Sequence, residues 1–203
     1  MNIEKNIQKK VDVAEKRISE LLDNGDIKKL AESNAYEISR FYENKSHIRI
    51  ETAKIILEAS KKDKIYSDYS ETVSAAYYSM FYMVQSYLAI MYKIKLRENL
   101  RGVHSTTANL VIYYLVKTNK LAKHLYEEYV KTLETVDSIQ NLNIAYFKNE
   151  AFEFAETYDQ SRDAREIFTY TTTKSAEEYH AERAIKTAEE FNNVLKQLIL
   201  KGN

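Results

Sequence analysis

The chain has 203 residues, 30 Lys plus Arg against 30 Asp plus Glu, so it lacks the overall basic excess of a nucleic-acid-coating protein, although a local basic patch stays open. Cysteine is absent, which removes disulfides, thiolate metal sites and a cysteine nucleophile. Proline is absent where average usage would give about ten, and glycine occurs only at Gly25, Gly102 and Gly202. So few breakers predict long helices and few connections.

The opening MNIEKNIQKK is charged throughout and has no apolar h-region, so it does not read as a secretory signal and the expected location is cytoplasmic. Ile3, Ile7, Val11, Ala14, Ile18 and Leu21 recur at helical spacing and form one apolar stripe. Asn24-Gly25 stops that helix. Asp26 can cap a second, with Ile27, Leu30, Ala31, Ile38, Phe41 and Tyr42 as its stripe. Residues 1–45 therefore read as an N-terminal helical hairpin, either packed on the main domain or serving as a dimerisation or partner-binding arm.

Residues 46–203 read as the main helix bundle. Ser46 can cap a helix bearing Ile50, Ala53, Ile56, Leu57 and Ser60. After a polar connection, Asp68 and Glu71 have capping-box spacing. The run from Val73 to Tyr92 then carries no charge at all. A helix apolar on every side is a membrane span or the centre of a core. Scattered Ser74, Ser79, Gln85 and Ser86, with five tyrosines spread along the run, favour the core. Tyr77 and Tyr78 cannot share a face, so one is expected inside and the other at a groove.

The charged turn Lys93–Gly102 follows. Ser105 is expected to cap a helix from about Thr106 to Val136, bent or split at Asn119, and 137–143 form a connection. A segment over 144–169 carries Phe147, Phe152, Phe154 and Tyr158, and is broken by three successive threonines after Tyr170. Ser175 and Glu178 make a second capping box for the last helix, whose apolar side includes Ala184, Ile185, Ala188, Phe191, Leu195 and Leu198. No strand-like alternation of useful length is visible. The expected architecture is an all-α, antiparallel up-and-down helix bundle.

Several motifs in this order resemble a known family. A helix with Ala53, Leu57 and Ser60 precedes Ser-x-x-Tyr-Tyr-Ser-Met-Phe (Ser74–Phe81). A short basic turn and His104 come next, then Arg-x-x-Arg-Glu-x-Phe-x-Tyr (Arg162–Tyr170), then a capped helix with Ala184, Ala188 and Phe191. The series resembles the HEPN domains, in particular the stand-alone prokaryotic branch with a YYxMF, His, RxxRExFxY pattern. It covers about residues 46–200.

The resemblance implies a four- to five-helix bundle, usually dimeric. It implies an RNA- or nucleotide-associated binding module, or the partner of a minimal nucleotidyltransferase. It also implies an alternative, a metal-independent ribonuclease of the toxin or defence type; if the resemblance reflects fold alone, the remaining alternative is a purely structural assembly subunit. Active members carry an Arg, then four to six residues, then a His. Chemically, an imidazole moves the proton of a ribose 2′-hydroxyl and a guanidinium steadies the phosphate. Here Arg97 and His104 are separated by six residues, but across a glycine-containing turn, whereas the family's pair sits on a later helix.

The residues singled out for catalysis are thus His104, Arg97, Arg162 and Arg165. His104 lies where a helix N-terminus disfavours its charged form. Arg162 and Arg165 are one turn apart and suit a phosphate-binding fork, or salt bridges to Glu156, Asp159 or Glu166. Lys93, Lys95 and Arg101, with Arg97, form a basic cluster suited to RNA or nucleotide phosphate, or simply a solvated turn. His47, His124 and His180 are isolated. No cofactor or metal is expected, because no glycine-rich phosphate loop, zinc-ligand spacing or supported Ser-His-Asp set is visible. The expected partners are a second copy of the chain, a nucleotidyltransferase, and RNA or a nucleotide, with no membrane.

Overall fold

The structure, a computed structural model, describes residues 3–63, 69–122, 144–170 and 175–202. It is an all-α helical bundle whose described residues contain, besides helices, a two-stranded ribbon. No helix among the described residues is long and apolar enough to cross a membrane. The chain packs as two compact units. One comprises 1–26 with 99–157, the other 27–98 with 158–203.

In the first unit, α1 (Ile3–Asp23) buries Val11, Ala14, Ile18 and Leu21. It packs against α4 (Val103–Val111) and against the π-helical turn Ile112–Lys117 that continues it. The last four positions of the apolar stripe are thus covered within the chain. Gly25 ends α1 at φ +69°, and the Asp26 N–H donates to the Leu21 carbonyl at 2.8 Å. α4 starts after Gly102, at φ +72°; Ser105, the expected cap, instead donates its hydroxyl to the Gly102 carbonyl. The chain leaves helical geometry at Thr118 and Asn119, where Asn119 takes the left-handed conformation at φ 56°. The predicted bend there is present. The predicted continuation to Val136, His124 and the connection 137–143 lie outside the described residues. Lys10 reaches Glu156 at 2.5 Å and lies over the Phe152 ring, while Lys117 pairs with Glu15 and lies over Tyr113.

The second unit is built on α2 (Glu32–Lys62), α3 (Ser70–Tyr92), the end of α5 (Ile144–Tyr170) and α6 (Glu178–Gly202). Two expectations need correction here. Ile27–Lys29 is not helical but forms β1, paired antiparallel with β2 (Ile94–Leu96), with Ile27 opposite Leu96. A strand partner distant in sequence overrides the local helical spacing, and both facing apolar residues become buried. Nor does a helix start at Ser46. α2 runs without a break from Glu32 to Lys62, because the Ser46 hydroxyl finds its partner across the interface rather than on its own backbone.

α3 buries 16 of its 23 residues, as its uncharged composition leads one to expect. Its most extensive interface is with α2, then with α6. The α2–α3 seam is made of small residues seven apart: Ser39, Ser46, Ala53 and Ser60 face Ser86, Ser79 and Thr72, all buried. Ser39 and Ser86 hydroxyls lie 2.9 Å apart, and Ser46 and Ser79 each donate to the other's carbonyl at 2.8 Å. Small side chains let the two backbones approach, and these four serines satisfy their hydroxyls across the seam. Phe81, within the uncharged run expected to form the core, is only partly buried, whereas Met80, Tyr77 and Tyr87 are fully enclosed.

At the start of α6 the backbone N–H of Glu177 donates to His180 Nδ1 at 3.1 Å. The imidazole thus takes the capping role expected of Ser175 and Glu178, and Ser175 is exposed. The other predicted box involves Asp68, and the threonine breaker spans 171–173. Both lie outside the described residues.

Candidate functional site

The tyrosine pair of α3 divides as the helical spacing requires. Tyr77 is 1% exposed, and Tyr78 is partly exposed at the edge. α5 brings Tyr158, Arg162 and Arg165 to Tyr77 on one face, at steps of four and three. The Tyr77 and Tyr158 hydroxyls are 3.2 Å apart, with Phe191 of α6 behind Tyr158 at 5.8 Å between centroids.

Arg165 is the centre of this cluster. It is 8% exposed, and its guanidinium carbon lies 5.6, 5.4 and 5.2 Å from the ring centroids of Tyr77, Tyr78 and Tyr170. Its Nη2 donates to the Tyr170 hydroxyl at 2.8 Å, and its Nε has no hydrogen-bond partner among the described residues. No carboxylate among those residues pairs with it. Burying an ion costs several kcal/mol, and each aromatic face returns on the order of 1–2 kcal/mol. Three rings therefore hold a cation that no described carboxylate neutralises. Arg162, one turn earlier, is already occupied, by Asp159 at 2.7 Å and Asp163 at 2.8 Å. Burial pushes the Tyr77 phenol up to about 12, even though Tyr158, Arg165 and Arg162 all pull the other way.

The remaining sequence-selected residues are distributed between the two units. His104 is partly exposed on the first turn of α4, and Arg101 is exposed just before it, both in the first unit. Lys93, Lys95 and Arg97 belong to the second. Lys93 is the left-handed residue closing α3, at φ 53°, and its ammonium contacts Glu32 at 2.8 Å. Lys95 lies in β2, 3.4 Å from Glu98, and Arg97 is exposed in the turn that follows. Among the described residues no group of His, Asp and Glu is arranged to hold a metal ion.

Sequence reasoning missed a second polar cluster in the second unit. Asn192 is 7% exposed and donates Nδ2 to Ser79 Oγ at 2.7 Å. It borders a cleft of about 200 Å3 between α2 and α6. The signal was available: Asn192 falls on the same stripe as Ala181, Ile185, Ala188 and Leu195, a polar residue at an apolar position. Nearby, Lys54 joins Glu51 at 2.9 Å to Glu189 at 2.8 Å, and Lys61 reaches Glu182 at 2.6 Å, tying α2 to an antiparallel α6.

Fold and site thus define an all-α helical protein with a buried arginine enclosed by tyrosines. Compared with known proteins, the chain matches no family model and no curated protein.

Proposed function

We propose that the chain is a HEPN-like helical module that acts as a homodimer and binds RNA or a nucleotide by its phosphate, or partners a minimal nucleotidyltransferase. One observation carries the binding reading: Arg165 is buried against three tyrosines, with no carboxylate opposite it among the described residues. A guanidinium held this way has its fork already oriented, and a phosphate matches that fork through two oxygens at once. Tyr170, 67% exposed, offers a ring face beside it for a base. The catalytic roles of His104, Arg97, Arg162 and Arg165 rest on the resemblance, and the phosphate contacts of Lys93, Lys95 and Arg101 on their local positive charge.

The test is retention of short single-stranded RNA and of mononucleotides by wild type, Arg165→Lys and Tyr170→Phe, at two salt concentrations and with EDTA present. Arg165→Lys keeps the charge but loses the fork, and about a tenfold weakening is expected. No retention by wild type, or equal retention by Arg165→Lys, overturns the binding reading. Chelator-resistant cleavage, lost in His104→Ala and Arg162→Ala, would establish the ribonuclease alternative instead.

A further inference from the structure

The cluster of cations and rings does not end at Arg165. Tyr78, against which Arg165 rests, also meets Arg49, whose guanidinium carbon lies 5.8 Å from the ring centroid. Tyr82, one turn further along α3, lies 6.3 Å from Tyr78 between centroids and meets the Lys45 ammonium at 5.4 Å. Lys45 in turn lies 4.9 Å from the Phe41 ring. Serines joined across the seam, Ser39 to Ser86 and Ser46 to Ser79, show that α2 and α3 run antiparallel. Arg49 and Lys45 are four apart on α2, and Tyr78 and Tyr82 four apart on α3 in the reverse order. The pairing of the helices therefore sets one cation on one ring at each turn. Tyr170, Arg165, Tyr78, Tyr82, Lys45 and Phe41 follow one another in a strip, with Arg49 beside Tyr78.

The cations of this strip differ from others in the same unit. Lys54, Lys61, Lys93, Lys95 and Arg162 each reach a carboxylate. Lys45, Arg49 and Arg165 reach rings, and no carboxylate among the described residues pairs with them. Lys45 and Arg49 are exposed, and so are the rings at the two ends, Phe41 by 55% and Tyr170 by 67%. Each exposed ring keeps apolar area in water that a stacked group would remove. The strip thus presents three positive charges, no negative one, and free ring surface at both ends.

These features select among occupants. A second copy laid on the strip about a twofold axis would set the cations against their own images. An acidic peptide would match the charges but leave the terminal rings uncovered. A nucleic acid strand supplies phosphates for the cations and base faces for the rings, provided its bases are unpaired, since a duplex hides those faces in its stack. α2 advances about 6 Å from Lys45 to Arg49, a stride that an extended strand can follow. The whole strip suits about four nucleotides, the lower end of single-strand site sizes.

We propose that this strip binds a single-stranded oligonucleotide of about four nucleotides: Lys45 and Arg49 take phosphates next to the one at Arg165, and bases stack on Phe41 and Tyr170. The proposal rests on the binding reading of Arg165 and extends it along α2 and α3.

The experiment is fluorescence anisotropy of the full chain with a labelled uridine octanucleotide, for wild type, Lys45→Gln, Arg49→Gln, Phe41→Ala and Arg165→Lys. Unlabelled competitors are uridine monophosphate, the di- and tetranucleotides, a thymidine octanucleotide, an RNA duplex of equal length and poly-L-glutamate. The tetranucleotide should compete at least about tenfold better than the dinucleotide or the monophosphate. Lys45→Gln and Arg49→Gln should each weaken the octanucleotide several-fold and flatten its log–log salt dependence by about 0.7, the share of one phosphate contact on a single strand. Phe41→Ala should weaken it about tenfold and leave the salt dependence unchanged. A merely structural role would not divide the variants in this way, and all three side chains are exposed, so their urea unfolding should match wild type. Stronger competition by the ribose or the deoxyribose octanucleotide names the sugar, and either supports the strip. If the monophosphate competes as well as the tetranucleotide, or if only Arg165→Lys weakens binding, the strip is overturned and the Arg165 site stands alone. Equal competition by the duplex or by poly-L-glutamate overturns it in favour of charge without stacking. If wild type binds neither the octanucleotide nor the monophosphate, both readings fall.

Discussion

The Tyr77 hydroxyl holds its proton more tightly in the folded protein than in the unfolded chain, because burial outweighs the arginines and Tyr158 around it. With the folded value near 12 and the ordinary one at 10.0, the stability this gives is complete below pH 10 and is lost as pH rises from about 10 to about 12. Tyr87 is shifted the same way, by burial first and by Tyr92 beside it. Urea unfolding of wild type should therefore weaken across this window. Tyr77→Phe should weaken less, by on the order of 2–3 kcal/mol. Equal weakening of both would mean that Tyr77 ionises without hindrance. Neighbouring positions on α3 also differ in kind: Met80→Ala should cost about 2–5 kcal/mol in the same unfolding measurement, and Phe81→Ala less, since only Met80 is fully enclosed. The sequence could separate Tyr77 from Tyr78 but could not say which side Phe81 took, because in a helix without charges no polar face marks the outside.

Helices were legible where breakers and stripes agreed: Asn24-Gly25 after α1, Asn119 after the π-helical turn, and the uncharged run of α3. They were misread where one residue type serves two purposes. A serine can cap a helix or bond across a seam, and only the facing helix decides which; Ser46 does the second. The ribbon of β1 and β2 was illegible because three-residue strands carry no periodicity, and their pairing joins positions far apart in sequence. Two expectations belong to this scale. Ala53, wholly buried in the seam, leaves no room for the larger side chain of leucine, so Ala53→Leu should cost about 1–3 kcal/mol in urea unfolding. Lys93, left-handed and exposed, should gain from glycine: Lys93→Gly is expected to stabilise by up to about 1 kcal/mol, the exposed contact with Glu32 being worth little against relief of the backbone. A loss of stability in Lys93→Gly would show that the Glu32 contact matters more than the φ of 53°.

For the molecule as a whole, the all-α bundle was readable from composition, since a chain without proline and with three glycines has few ways to turn. The grouping of α1 with residues 99–157 was not, because a stripe says that a helix is covered and not by what. That grouping changes the case for a dimer. From Val11 to Leu21 the α1 stripe is already buried against α4 and the π-helical turn, so that part is not free to receive a second copy. The homodimer then rests on the resemblance, and sedimentation at micromolar concentration should give about twice the chain mass of 23.8 kDa. A monomer at that concentration would remove both the dimer and any site shared between protomers. The candidate cation was partly legible, since Arg162 and Arg165 were singled out together; which of the two is neutralised depended on Asp159 and Asp163, and only the fold shows that.

The seam between α2 and α3 has one further consequence. Its small residues repeat every seven positions on both helices, so sliding one helix past the other by a heptad, about 10 Å, would again set small against small. Close packing alone therefore leaves several alignments nearly equivalent, and a misaligned pair could persist during folding as a compact trap. The native alignment is marked by landmarks that do not repeat: Tyr42 of α2 stacks on Tyr82 of α3, and Asn192, arriving from α6, donates to the hydroxyl at Ser79. A helix that follows both partners in the chain thus proofreads their pairing.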